Sequence, residues 1–244
     1  MNTINLVIAG KGGVGKSYVS ALLAQYITEK GNKPVCIDTD TNNGTFSSYK
    51  AFNAKRFSVI DDDFIIHQSF LDDMLSYIVN QNEDTVIDVG ASSFNAFCAW
   101  MKEFDLAEVM EAYGLKILVH LVMEGGANTE NSLIDLNTVM SVVKAPVVIW
   151  ENRHRGPVIF DGNPLAEIHF IKDNPSIKGI IVIPENKTET KKSSILLMTK
   201  NHLTFQEIDA IPDIWLQHKS RLSQYWIEIK RSIDAVLDGE FEDG

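Results

Sequence analysis

Short apolar runs alternate with helical patterns along most of the chain. The runs have the length of buried strands and fall near residues 4–9, 34–38, 84–88, 115–122, 145–150 and 179–183. Strands that are separated by helices form right-handed crossovers and a largely parallel sheet. The pattern therefore predicts an α/β fold with helices on both faces of the sheet. In such a fold the loops after the strands collect at one edge, where ligands bind.

A long helical pattern ends the chain, from Pro212 to Leu237. Its apolar residues recur at intervals of three, four and seven, which places them on one stripe of a helix. We expect this stripe to pack on the sheet, and a partner helix docked at its exposed tryptophan edge is the alternative. The residues of the stripe are Trp215, Leu222, Trp226, Ile229, Ile233 and Val236.

Length and composition fit one domain that spans residues 1–244, since no low-complexity linker divides the chain. The start, Met1-Asn2-Thr3, lacks the basic residues of a signal peptide, and no apolar run approaches the length of a membrane span. We therefore expect a cytoplasmic protein without integral membrane association. Cys36 and Cys98 stand in apolar surroundings and are expected to be reduced core thiols.

A glycine-rich segment joins the first predicted strand to the first helical pattern. It reads Gly10-Lys11-Gly12-Gly13-Val14-Gly15-Lys16-Ser17 and satisfies G-x-x-x-x-G-K-[ST]. Glycines let successive backbone N–H groups turn toward phosphates, Lys16 would neutralise the β- and γ-phosphates, and the Ser17 hydroxyl would bind Mg²⁺. A plain glycine-rich turn needs neither the lysine nor the serine at these spacings. The motif therefore predicts a nucleotide site that also holds Mg²⁺.

Aspartates end two further predicted strands. Asp38 and Asp40 follow the apolar run 34–38 and point the same way in an extended chain, while Asp88 ends the run 84–88. Beside a phosphate-binding loop, such carboxylates can hold Mg²⁺ and orient an attacking water. We take Asp38 and Asp88, with Ser17, as the candidate metal residues. Aspartates that merely cap a solvated strand end are the alternative for Asp38 and Asp40.

The loop carries a second lysine, Lys11, and in this form it resembles the deviant Walker A motif of the ParA and MinD ATPases. The resemblance implies that ATP and Mg²⁺ bind, that the ATP-bound protein is a homodimer, and that Lys11 reaches the partner subunit's nucleotide, much as an arginine finger does. Lys11, Lys16 and Asp40 are the implied catalytic residues. Thr41-Asn42-Asn43-Gly44 stands where many relatives have a proline and a glutamine, which leaves signalling through this loop open.

The same resemblance suggests an adenine site. Family members often use an asparagine just after the strand that corresponds to 145–150, and the loop after the strand near 179–183 lies beside the base. Asn152 and Pro184 occupy these places. The alternatives are ordinary turn chemistry for the asparagine and strand termination for the proline.

A narrower resemblance points to conjugal-transfer proteins of conjugative plasmids. It is carried by Cys36-Ile37-Asp38-Thr39-Asp40, by the segment 86–94 and by Leu203-Thr204-Phe205, in matching order and spacing. It implies an accessory ATPase of conjugative DNA transfer that works with a protein partner of the transfer machinery. The alternatives are a plasmid partition ATPase, a small-molecule ligase of the dethiobiotin synthetase type, and a module that binds nucleotide without turnover.

Charge bears on the choice of partners. The net charge of −11 disfavours sequence-independent DNA binding, because the duplex is itself densely negative. Contact with DNA would need the basic residues of the C-terminal third to converge on one face. A membrane-binding tail is disfavoured because residues 238–244 are acidic. We interpret the acidic run Asp61-Asp62-Asp63 as a solvated loop or helix cap.

Overall fold

The computed structural model describes residues 1–40, 43–59 and 68–238. The acidic run Asp61-Asp62-Asp63 lies outside the described residues. The same holds for Thr41 and Asn42 and for the tail from residue 239 onward.

Nine strands and nine α-helices make up most of the described part of the chain. The strands are β1 (Asn2–Ile8), β2 (Val35–Asp38), β3 (Lys55–Arg56), β4 (Thr85–Asp88), β5 (Leu115–Glu124), β6 (Val147–Asn152), β7 (Ile159–Phe160), β8 (Asn163–Pro164) and β9 (Ile177–Ile183). The helices are α1 (Lys16–Glu29), α2 (Gln68–Gln81), α3 (Phe94–Glu103), α4 (Leu106–Ala112), α5 (Thr129–Val142), α6 (His169–Lys172), α7 (Glu189–Lys200), α8 (Phe205–Ala210) and α9 (Leu216–Leu237).

In the described part of the chain, seven strands form one parallel sheet in the order β3-β2-β4-β1-β5-β6-β9. Each of the six predicted apolar runs is one of these strands, so the predicted α/β class is confirmed. The register aligns the strand ends: Asp38 lies opposite Asp88, and Glu124 lies opposite Asn152. Polar residues from distant parts of the sequence therefore meet at the carboxyl edge of the sheet.

Helices cover the sheet on both faces. Successive residues of a strand point to opposite faces, and β1 divides its apolar side chains accordingly. Ile4, Leu6 and Ile8 belong to a core that includes residues of α2, α3, α4 and α5, whereas Val7 belongs to a second core with residues of α1 and α9. Burial on both faces explains why the central strands are largely apolar instead of alternating between apolar and polar residues.

The C-terminal helix packs on the sheet largely as predicted. Leu222, Trp226, Ile229 and Ile233 are buried in the core on the α1 face, and Val236 packs against them. The predicted stripe is wrong at its first member, because α9 begins at Leu216 and Trp215 precedes it with 73% of its surface exposed. None of the helices in the described part of the chain combines the length and the apolar character that a membrane crossing requires.

A buried polar triad links three central strands. Trp150 Nε1 donates to His120 Nδ1 over 2.9 Å, so the ring proton of the neutral His120 lies on Nε2, which donates to Asn5 Oδ1 over 2.9 Å. Asn5 in turn donates to the Thr85 carbonyl oxygen. Because complete burial penalises the imidazolium, the pKa of His120 is lowered to about 3.

This depressed pKa predicts a pH dependence of stability. Between pH 6.5 and about 3 the unfolded chain binds a proton at His120 and the folded protein does not, so the free energy of unfolding falls as the pH falls through this window. We expect the slope contributed by His120 to approach about 1.4 kcal/mol per pH unit.

Urea unfolding of the wild type and of His120→Gln between pH 4 and pH 7 measures this contribution. Glutamine keeps one donor and one acceptor but does not titrate, so its slope should be shallower than that of the wild type. Parallel slopes for the two proteins would show that His120 is not held neutral.

Candidate functional site

The glycine-rich loop lies between β1 and α1, as the motif predicts. Gly13 and Gly15 have φ angles of 80° and 103°, in the left-handed region that favours glycine. A Cβ atom at Gly15 would lie 2.7 Å from Asn152 Nδ2, so a larger residue would meet a steric clash there in addition to the backbone strain. The loop borders an open cleft of about 500 Å³ whose lining includes Lys16, Ser17 and Asp40.

Lys16 and Ser17 begin α1 at the bottom of this cleft. The Lys16 side chain is largely buried, and its Nζ donates to the Lys11 carbonyl oxygen over 3.2 Å. Burial lowers the pKa of Lys16, with the carboxylates of Asp88, Asp40 and Asp135 acting against this shift. The ammonium group is therefore poorly solvated, and an anion placed beside it would be bound strongly.

Asp88 lies directly against Ser17, whose Oγ donates to Asp88 Oδ2 over 2.5 Å. Only 1% of Asp88 is exposed, and burial raises its pKa to about 7 despite the Ser17 hydrogen bond. Its Oδ1 atom is buried without a hydrogen-bond partner among the described residues. A hydroxyl and a carboxylate oxygen with unused acceptor capacity are hard oxygen donors of the kind that Mg²⁺ prefers, so these residues fit the metal that the motif implies.

Asp38 has a different local role. Its Oδ1 accepts from the Asp40 backbone N–H over 2.9 Å, and its Oδ2 accepts from the Ser47 N–H over 2.7 Å. Asp38 thus holds the chain as it leaves β2, which corresponds to the capping alternative. A role in metal binding stays a prediction for this residue.

Asp40 lines the cleft and is half-buried. Its carboxylate accepts from both the backbone N–H and the side-chain amide of Asn43. Gly90 allows Asp40 to lie this close to β4, because a Cβ atom at Gly90 would lie 3.1 Å from the Asp40 Cα. Thr39 fixes the same junction, since its hydroxyl donates to the Asp88 carbonyl oxygen and accepts from the Gly90 N–H.

Lys11 is exposed, in contrast to the buried Lys16. Its Nζ donates to Asn128 Oδ1, and Asn128 Nδ2 donates to Glu124 Oε2. The same Glu124 oxygen is 3.1 Å from Arg155 Nη1. Asn128 and Glu124 are almost fully buried, so a preformed polar chain connects the second lysine of the loop to the ends of β5 and β6.

Asn152 and Pro184 lie at the carboxyl ends of adjacent strands, because Asn152 pairs with Ile183. Asn152 Nδ2 donates to the Val14 carbonyl oxygen over 2.9 Å, and its Oδ1 accepts from the His154 N–H. The asparagine therefore contacts the phosphate-binding loop itself, while Pro184 directly follows β9. Their contact with an adenine stays a prediction.

Several residues of the site carry no motif in the sequence. Asp135 of α5 is the clearest example, since its Oδ2 accepts from the Gly10 N–H over 2.7 Å across 125 positions of the chain. Asn128, Glu124 and Arg155 likewise belong to no sequence motif. A local signal near them is Glu124-Gly125-Gly126, which follows an apolar run and indicates no more than a turn.

The parallel sheet, the loop between β1 and α1, and the carboxylates beside it define a P-loop nucleotide-binding protein. Residues 6–187 match the family model described as CobQ/CobB/MinD/ParA nucleotide binding domain, and the chain belongs to this family. The resemblance drawn from the Lys11 signature is therefore confirmed at the level of the family.

The narrower resemblance, to the conjugal-transfer proteins called TraL, is also confirmed. The chain is 33% identical over 225 residues to Protein TraL of Escherichia coli, which covers 91% of this chain and 93% of the relative. A second Protein TraL from the same species is 32% identical over 241 residues, 98% of each chain. The chain is thus related to the TraL proteins along nearly its full length.

Solved structures show the same fold at lower identity. The cell division protein MinD of Aquifex aeolicus superposes with a TM-score of 0.55 at 18% identity, over 96% of this chain and 98% of that one. The septum site-determining protein MinD of Pyrococcus horikoshii OT3, complexed with Mg-ADP, gives a TM-score of 0.50 at 16% identity, over 96% of both chains.

The geometry of Gly15 yields a prediction with an internal control. Gly15→Ala should lower the free energy of unfolding by about 1–3 kcal/mol, because alanine is strained at a φ of 103° and its Cβ would press on Asn152. Gly12→Ala, in the same loop, meets nothing within 4 Å and lacks a positive φ. It should unfold close to the wild type.

Urea unfolding of the two variants without nucleotide separates backbone strain from any effect on ligand binding. Equal destabilisation by both substitutions would contradict the strained geometry assigned to Gly15.

Proposed function

We propose that this protein is a slow ATPase that acts as a dimerising switch accessory to conjugative DNA transfer. ATP and Mg²⁺ bind at the loop 10–17, two copies close on each other with Lys11 crossing to the other nucleotide, and hydrolysis reopens the dimer. ATP hydrolysis determines how long the dimer persists, and the reaction does not serve to produce a metabolite.

The single observation that carries the proposal is the separation of these lysines. Lys16 is buried at the bottom of the cleft, whereas Lys11 is exposed and directs its ammonium group toward Asn128. Lys16 is thus positioned to bind the phosphates of a nucleotide in its own subunit. Lys11 can turn toward a second subunit if it gives up its hydrogen bond to Asn128. Such a bond contributes about 1 kcal/mol, or somewhat more for a charged donor.

Magnesium would be held by Ser17 and Asp88, the one a hydroxyl donor and the other a buried carboxylate. When bound, the ion supplies positive charge where negative charge develops on the transferred phosphoryl group. Lys16 neutralises the same phosphates, and Asp40 orients the attacking water at the mouth of the cleft. The Pyrococcus horikoshii MinD was solved in complex with Mg-ADP, which supports a nucleotide with magnesium as the ligand of this site.

ATP couples to dimer formation because its γ-phosphate would be held by both subunits. A ligand shifts an equilibrium only by its differential affinity for the two states, and ADP lacks the group that Lys11 of the second copy would contact. ATP therefore favours the closed dimer and hydrolysis removes that preference.

The relation to the TraL proteins supports conjugative transfer as the process and a protein of the transfer machinery as the partner. Direct DNA contact finds less support, because the net charge is −11 and four of the basic residues of the C-terminal third have an acidic or carbonyl partner. These pairs are Lys187 with Glu185, Lys192 with Glu189, Lys230 with Glu29, and Lys219 with the Asp209 carbonyl oxygen.

The switch predicts a change of mass with nucleotide. Asp40→Ala, which should bind ATP and not hydrolyse it, is expected to double in molar mass with Mg-ATP and to stay monomer-sized with Mg-ADP. Adding Lys11→Ala should abolish the doubling without abolishing ATP binding, because the lost cation acts on the other subunit's nucleotide.

Light scattering after gel filtration measures the mass, and titration calorimetry confirms that both variants bind ATP. Lys16→Ala serves as the control that should not bind at all. An unchanged mass with ATP bound would remove the trans role of Lys11.

Hydrolysis gives a second prediction. Asp40→Ala should lower the turnover of ATP by about 10²- to 10⁴-fold with little change in the dissociation constant for ATP, because Asp40 acts on the water and not on the nucleotide. Asp173→Ala removes an exposed carboxylate that directly follows α6 and does not line the cleft, and it should leave turnover unchanged. Parental turnover in Asp40→Ala would refute the assignment of this residue.

A further inference from the structure

A small hairpin carries two apolar side chains into solvent. Strands β7 and β8 pair in an antiparallel manner, with Ile159 opposite Pro164 and Phe160 opposite Asn163. Asp161 and Gly162 connect them with φ angles of 48° and 80°, the sign that a tight type I′ turn requires. Ile159 is 49% exposed and Phe160 is 44% exposed.

The chain on either side of the hairpin is anchored in the protein. Val158 is fully buried, and its N–H donates to Glu151 Oε1 over 2.9 Å. Glu151 also accepts two hydrogen bonds from Arg153 through its other oxygen. Leu165, directly after β8, is buried in the same core as Val158. The hairpin is therefore a fixed projection, and its apolar residues cannot turn inward without displacing these anchors.

The projection starts at the edge of the sheet that holds the nucleotide site. Glu151 is the penultimate residue of β6, and the segment that leads into the hairpin packs on the loop after β5. A Cβ atom at Gly125 would lie 2.2 Å from the Pro157 carbonyl oxygen. Arg155 bonds to the same Glu124 oxygen that accepts from Asn128, the residue that holds Lys11. One side-chain network thus links the hairpin segment with the lysine that is proposed to cross.

We infer that the hairpin packs against a second copy of this chain in the ATP-bound dimer, where Ile159 and Phe160 become buried. This inference rests on the proposed function. For Lys11 to reach the second nucleotide, the surface around Lys11 must come into close contact with its counterpart. A rigid element that projects from this surface then meets the other subunit. Aromatic side chains are enriched in the cores of such interfaces, and Phe160 is an aromatic residue on this projection.

Twofold symmetry of the dimer would enlarge the effect of a substitution in the hairpin. In an isologous dimer each hairpin makes the same contact, so one substitution removes two contacts. Phe160→Ser should raise the dissociation constant of the dimer by about tenfold or more and leave the affinity of the monomer for ATP unchanged. Phe104→Ser is the matched control, since Phe104 is 40% exposed and follows α3 at the far end of the sheet from the nucleotide site.

The experiment is sedimentation equilibrium in Mg-AMPPNP of wild type, Phe160→Ser and Phe104→Ser. If the wild type itself stays monomeric, the proposed function fails. If the wild type dimerises and both variants match it, the proposed function stands and the inference about the hairpin is overturned. Weakening by Phe160→Ser alone, at an unchanged melting temperature, supports it.

A second variant covers the case in which Phe160→Ser is destabilised. Cys36 and Cys98 are buried, so Phe160→Cys introduces a thiol that a maleimide can reach selectively. The rate of its modification should drop at least about fivefold with Mg-AMPPNP and stay unchanged with Mg-ADP. Equal rates in the two nucleotides, for a protein whose mass doubles with Mg-AMPPNP, would contradict burial of the hairpin.

Discussion

The burial of Asp88 is the constraint around which the site is built. Moving a carboxylate out of water is costly unless charge or hydrogen bonds compensate it, and among the described residues only the Ser17 hydroxyl donates to the Asp88 carboxylate. The position of Asp88 at the end of a central strand fixes this burial, because β1 and β2 lie on either side of β4. Ser17 and Lys16 are held close to it by the same loop that would hold the phosphates. The fold therefore places a poorly solvated ammonium group and a poorly solvated carboxyl group close together, and a polyphosphate and a metal ion can each replace the solvation that burial removes.

The elements and the loop could be predicted from the sequence because their signals are local. Apolar runs such as 84–88 show their length and their character without reference to the rest of the chain, and the loop 10–17 shows its spacing. Asp135, Asn128 and Glu124 could not be found in this way. Their role depends on how α5 and the end of β5 pack beside the loop, and a single sequence carries no signal for such a distant contact. Trp215 was wrongly assigned to the buried stripe for a related reason. Its spacing from Leu222 fits a helix, but α9 begins one residue later, and the spacing alone does not show where the helix starts.

Asp38 shows a different limit of sequence reasoning. A carboxylate after a strand can bind a metal or cap the following backbone, and both uses have the same local pattern. The choice depends on where the Ser47 N–H lies, nine residues later. In the chain that follows β2, the capping bonds of Asp38 fix the position of the segment from which Asp40 reaches the cleft. One aspartate thereby orients the backbone that presents the other.

The phosphate-binding loop is braced at both ends before any ligand arrives. Asp135 accepts from the Gly10 N–H, and Asn152 donates to the Val14 carbonyl oxygen. A loop that is already in place pays little ordering entropy on binding, so most of the contact energy appears as affinity for the phosphates that ATP and ADP share. Two ligands that bind this loop with similar strength compete by abundance. With ATP and ADP as the ligands, the nucleotide bound to the protein would then follow the ratio of their concentrations around it.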